Sequence, residues 1–141
     1  MSAGSLIPKE LDWVAKRAAC NIGQVFDELC ESIARDVAAL NSAKRLHEDY
    51  QFVVNPVSVG NTIIIGQLGA STSARVVVRI GIVGEEIEVQ DGATNSRWRA
   101  AVSLNDEGRC TLRIDGDTQL EQWQFRKKAL EPLFFGAKVG L

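Results

Sequence analysis

The feature that most constrains this chain is a run from Lys9 to Leu46 whose apolar residues recur at helical spacing. Leu11, Val14, Ala18, Ile22, Val25, Leu29, Ile33, Val37 and Leu40 form one stripe, the first seven separated by 3, 4, 4, 3, 4 and 4 residues. That period is nearer an eleven-residue repeat than a heptad, so the stripe stays almost straight along a helix. Pro8 suits a first helical turn, and Glu10 and Asp12 face the positive end of the dipole. A second row of small residues, Ala15, Ala19, Gly23, Ala34 and Ala38, runs beside the stripe. Gly23 costs about 1 kcal/mol relative to Ala inside a helix, so it either serves close packing or marks a bend.

Length decides what such a helix can do. Lys9 to Leu40 would extend roughly 48 Å as one helix, whereas a strand of eight to ten residues spans about 26–34 Å. One small sheet cannot cover the whole stripe. Either the helix breaks near Asn21–Gly23, or a second copy of the protein covers the overhang.

The chain beyond it reads as an antiparallel sheet over residues 50–114. Tyr50–Val59 carries Asn55-Pro56, so it is an edge strand or two short pieces around a bend, because proline cannot donate to a ladder. Asn61–Leu68 is a second strand, and Gly66–Ser73 reads as a flexible loop. Four alternating segments follow: Ala74–Ile82, Glu86–Gln90, Arg97–Leu104 and Arg109–Ile114, with turns at Gly84, Asp91-Gly92 and Asn105–Gly108. Period-two alternation marks strands with one buried and one wet face. Thr118 with Glu121 predicts a capping box opening a helix over 118–131, ended or kinked by Pro132. Its apolar residues fall in two rows, so it should be clamped between two surfaces. The expectation is a single α+β domain: a long helix on a meander of five or six strands, then a short C-terminal helix, with residues 1–8 flexible. This order resembles cystatin-like and helix-grip folds, and small chaperones of secretion systems, in topology alone; the resemblance implies no residue roles.

Composition narrows the function classes. At 141 residues the chain can bury a core without staples, and a net charge of −2 argues against a general polyanion binder. No apolar run reaches membrane-spanning length, and Met1–Ile7 lacks the pattern of a signal peptide. Three cysteines, with no C-x-x-C spacing, predict reduced thiols in a cytoplasmic protein. Cys20 and Cys30, about 15 Å apart in helical rise, cannot bridge each other.

Catalytic chemistry has little to work with. His47 is the only histidine, at a helix end where the dipole favours it. Asp115-Gly116-Asp117 lacks the further oxygen ligands of a calcium loop and reads as a turn. Gly66-x-x-Gly69 precedes a strand rather than the helix that a phosphate loop needs. No metal, cofactor or enzymatic role is expected.

One surface feature stands out. Every basic residue between Leu46 and Phe125 is an arginine, and alternation assigns Arg75, Arg79, Arg97, Arg99, Arg109 and Arg113 to the wet sheet face, with Glu86 and Glu88 between them. Arginine's planar fork suits carboxylate and phosphate, so this is a candidate face for an anion or a partner. It holds no aromatics, which speaks against single-stranded nucleic acid. The leading expectation is a non-catalytic accessory or interaction module that pairs with itself or with another protein. The alternative is a small-ligand binder or minimal enzyme with a pocket between helix and sheet, lined by Tyr50, Trp98 and Cys110.

Overall fold

The N-terminal stripe breaks in two. The computed structural model describes residues 10, 12–43, 51–57, 61–68, 74–92 and 94–135, with side chains at all of these but 51, 56, 57, 68 and 74–76. Within it, helix α1 spans Trp13–Ala19 and helix α2 spans Ile22–Ala43. Cys20 N–H bonds the Arg17 carbonyl at 3.0 Å and closes α1 with a tight turn. Asn21 then starts α2 afresh: its Oδ1 accepts the Gln24 N–H at 2.8 Å, and its carbonyl accepts the Val25 N–H at 3.0 Å. Asparagine is among the best N-caps, which explains why the break falls here and not at Gly23. The 22 residues of α2 run about 33 Å, which fits the sheet beneath. The expected limits Lys9 and Leu46, like residues 1–8, His47 and Tyr50, lie outside the described residues.

Seven strands follow as one consecutive antiparallel meander: β1 Gln51–Val57, β2 Thr62–Leu68, β3 Ala74–Val83, β4 Glu86–Asp91, β5 Ser96–Leu104, β6 Cys110–Ile114 and β7 Thr118–Leu120. Pro56 sits in edge strand β1, as its missing donor requires. Strand β2 ends at Leu68 as expected of Asn61–Leu68, so residues 66–68 belong to the ladder and not to the loop expected over Gly66–Ser73, with Gly66 opposite Val53 and Val77 and a register shift at Gln67/Leu68; residues 69–73 of that loop lie outside the described residues.

The seventh strand displaces the expected helix start. Leu120 and Thr118 pair with Leu112 and Ile114, so Thr118 is unavailable as a cap. Glu121 replaces it: its N–H donates to Gln124 Oε1 at 2.9 Å, and its carbonyl accepts the Phe125 N–H at 2.9 Å. Helix α3 therefore spans Gln122–Phe135, later at both ends than the expected 118–131. It runs through Pro132 rather than ending there, leaving Lys128 C=O without the usual N–H partner in the last turn.

Both α2 and α3 lie on one face of the sheet, α2 over β1, β3 and β4, and α3 over β3, β6 and β7. The core joins Val25, Phe26, Leu29, Ile33 and Val37 of α2 to Phe125, Ala129, Leu130 and Leu133 of α3, above Ile65, Val78, Ile80, Ile87, Val89, Ala100 and Leu112 of the sheet. The opposite sheet face carries the polar residues predicted by alternation. Helix α1 contributes no buried residue.

Candidate functional site

Register arranges the uncovered sheet face into rows. Arg79 faces Gln90, which faces Arg97; Gly81 faces Glu88, which faces Arg99; Glu86 faces Ala101, which faces Arg113. The structure thus places Arg79, Arg97, Arg99 and Arg113 together on the expected face. Arg75 belongs to β3, but its side chain lies outside the described residues.

Arg109 does not belong to this array. It precedes β6 in the turn held by Asn105, whose Oδ1 accepts the Arg109 N–H at 2.9 Å. Its guanidinium pairs with Glu107 and Glu121, each at 3.0 Å. Alternation was extended one residue too far, because the turn's hydrogen bonds end the ladder at Cys110.

The acidic residues of the face are already engaged. Arg99 bonds Glu88 Oε2 at 3.0 Å and lies 3.7 Å from Glu86. Gln90 Nε2 donates to Glu88 Oε1 at 3.1 Å, so both oxygens of this buried carboxylate are bonded. The Gln90 hydrogen bond, aided by Arg99, holds the Glu88 carboxyl below its usual range although burial opposes it. Arg79, Arg97 and Arg113 are exposed, and none forms an ion pair with a described residue.

Trp98 and Cys110, expected to line one pocket between helix and sheet, lie apart. Trp98 packs edge-on against Phe125 at 5.2 Å, and the Lys128 ammonium lies 5.1 Å from its ring centre. Cys110 is six positions farther along the neighbouring ladder, opposite Leu104, about 20 Å from Trp98 along the strand direction. The two do not share a cavity, and Tyr50 falls outside the described residues.

Cys110 has a different role. It forms a disulfide with Cys20, Cα to Cα 5.6 Å, across 90 residues of chain. This overturns the expectation of three reduced thiols. Spacing excluded only the local Cys20–Cys30 pair; the long-range pair becomes visible once α1 ends beside the start of β6. Arg17 supports the same junction, its guanidinium donating to Cys20 C=O at 2.9 Å and Val102 C=O at 3.2 Å. Cys30 stays a free thiol, and burial, with Asp27 nearby, raises its pKa to about 11.

An apolar concavity lies elsewhere, between α2 and α3. This groove of about 490 Å³ has Ala39, Leu40, Leu130 and Phe134 in its walls and Trp123 and Phe135 at its margins. Those two aromatics are 54% and 70% exposed. Its polar rim is balanced: Asp36 pairs with Arg126 at 2.7 Å, and Glu131 with Lys127 at 2.9 Å. Phe134 is held in place by edge-on contact with Phe52 at 5.1 Å. Of the helix expected to be clamped between two surfaces, Phe125, Ala129, Leu130 and Leu133 are buried while Trp123 stays exposed.

No protein-family model matches the chain, and neither does any curated protein or solved structure. Among the described residues, no group of three or more His, Cys, Asp and Glu side chains is arranged to hold a metal, and no helix is long and apolar enough to cross a membrane.

Proposed function

We propose that this protein is a non-catalytic interaction module that pairs with a second copy of itself through the groove between α2 and α3. One observation carries this reading: two large aromatic side chains, Trp123 and Phe135, stand exposed at the margins of the same apolar groove. Exposed aromatics beside a concavity are what an interface core requires. A second copy is favoured over a charged partner by the rim. Asp36 and Glu131 against Arg126 and Lys127 leave no surplus of either sign, as a two-fold, self-complementary interface needs. The single histidine of the chain supports the non-catalytic part.

The disulfide bears on where the module works. Disulfides persist in oxidising compartments, so we place the protein there in preference to the cytoplasm that the cysteine count suggested.

Sedimentation equilibrium and native mass spectrometry of the wild type and of Trp123→Ser/Phe135→Ser test the pairing. A wild-type dimer and a monomeric variant with unchanged circular dichroism are expected. A wild type that stays monomeric at high micromolar concentration, or a variant that still dimerises, overturns it. A retained small-molecule mass would instead favour a ligand-binding role for the same groove, whose volume falls within the range of small-molecule sites.

A further inference from the structure

The row Arg79–Gln90–Arg97 lies on the sheet face opposite the helical groove and borders a cleft of about 310 Å³. Val77, Gly92, Asn95 and Ser96 complete its walls. Gly92 shapes it: the Gly92 N–H bonds Val77 C=O at 2.9 Å, and a Cβ there would meet that oxygen at 2.5 Å. Only glycine lets the end of β4 close on β3 this tightly.

Charge on this face is unevenly settled. Glu86 and Glu88 are both engaged by Arg99, and the second oxygen of Glu88 is taken by Gln90. Arg97 also acts through space on Glu88 without bonding it, which leaves Arg79 and Arg97, two strands apart, as a local positive pair in a chain of net charge −2. Asp91 also borders the cleft, but by alternation it belongs to the helix-covered face, and its Oδ1 accepts the Thr94 N–H at 3.4 Å.

We infer that the cleft between Arg79 and Arg97 binds a small phosphate monoester. The stoichiometry of donors selects the class. A carboxylate offers two oxygens, which one bidentate guanidinium satisfies. A phosphate monoester offers three terminal oxygens and close to two negative charges at neutral pH, matching the two guanidinium forks that border the cleft.

Titration of the full-length protein with phenyl phosphate, followed by calorimetry or amide chemical shifts, tests this. Saturable one-site binding is expected, weakening between pH 7.5 and pH 5.5 as the dianion protonates near pH 6. Arg79→Gln and Arg97→Gln should each weaken it about tenfold or more, and Arg79→Lys, which keeps the charge but loses the fork, severalfold. Arg113→Gln removes the same charge from the same face outside the cleft and should change affinity less than about twofold. Absence of saturation, an Arg113→Gln loss equal to that at Arg97, or equal affinity for benzoate each overturns the inference. The site and the helical groove lie on opposite faces, so oligomeric state does not enter the result.

Discussion

The Asn41 side chain bonds both backbone groups of Phe52: Nδ2 donates to the Phe52 carbonyl at 2.8 Å, and Oδ1 accepts the Phe52 N–H at 3.0 Å. A residue of α2 thereby supplies edge strand β1 with the pairing that a neighbouring strand would give. Asn41→Ala strands a donor and an acceptor at once and should cost about 1–3 kcal/mol. Urea denaturation measures this; a midpoint unchanged from wild type would mean that solvent replaces the clip without loss.

Reduction of Cys20–Cys110 should release α1 before the rest of the fold. No α1 residue is buried, and among the described residues the hydrogen bond from Arg17 to the Val102 carbonyl is what else ties α1 to the sheet. Trypsin is expected to cut after Lys16 or Arg17 rapidly in dithiothreitol and slowly without it, while the α2–α3 core resists in both. Closing a 90-residue loop contributes up to about 4–5 kcal/mol in the chain-entropy model, so Cys20→Ala/Cys110→Ala should lower stability by no more than that.

Much of this architecture was legible in sequence, for physical reasons that differ by element. In strands β3 to β6 apolar and polar residues alternate in sequence because one face meets the helices, although Glu88 and Thr111 on the other face are buried as well, and the Pro56 edge follows from a missing N–H. Length alone reduced the first helix to two outcomes, and Asn21 decided between them. The misreadings have separate causes. Strand β7 pairs locally with β6 but is only three residues long, too short for alternation to show, whereas the Cys20–Cys110 bond joins residues 90 apart, which local periodicity does not report. Of the six arginines, alternation placed four where they are seen and failed at Arg109, where a turn ends the ladder.

Glu88 predicts an acid limb in stability. Its folded pKa is lowered below the ordinary 4.5, so the stabilisation is present above the unfolded pKa and is lost as pH falls through the folded value. Melting temperature should decline below about pH 4.5, and Glu88→Gln should flatten that part of the profile while lowering stability near neutrality. An identical pH profile for the variant would assign the acid limb to other carboxylates.

Cys30 should be a sluggish nucleophile. A pKa of about 11 in place of 9.0 cuts the thiolate fraction at pH 8 by about a hundredfold, and greater intrinsic nucleophilicity recovers about tenfold of it. Iodoacetamide should therefore label the folded protein about ten times more slowly than the urea-unfolded one. Equal rates would show that the thiol is as free as in an unfolded chain.

Gly23→Ala should stabilise the protein. A Cβ there meets nothing closer than Asn21 Oδ1 at 3.6 Å, an ordinary contact, and the backbone is already helical. The gain expected from a less mobile unfolded chain is about 0.4–1 kcal/mol, read as a raised urea midpoint. A loss would imply that α2 needs looseness in its first turn.

The consecutive order β1 to β7 also has a consequence for how the chain assembles. Each strand pairs with the one just before it, so hairpins can form locally and in turn, without waiting for distant partners. The covalent link is the exception, because Cys110 lies on the sixth of the seven strands while Cys20 precedes the first. The crosslink is thus placed to close late, after the hairpins have carried the two sulfurs together, and serves as a latch on a finished fold rather than a guide to it.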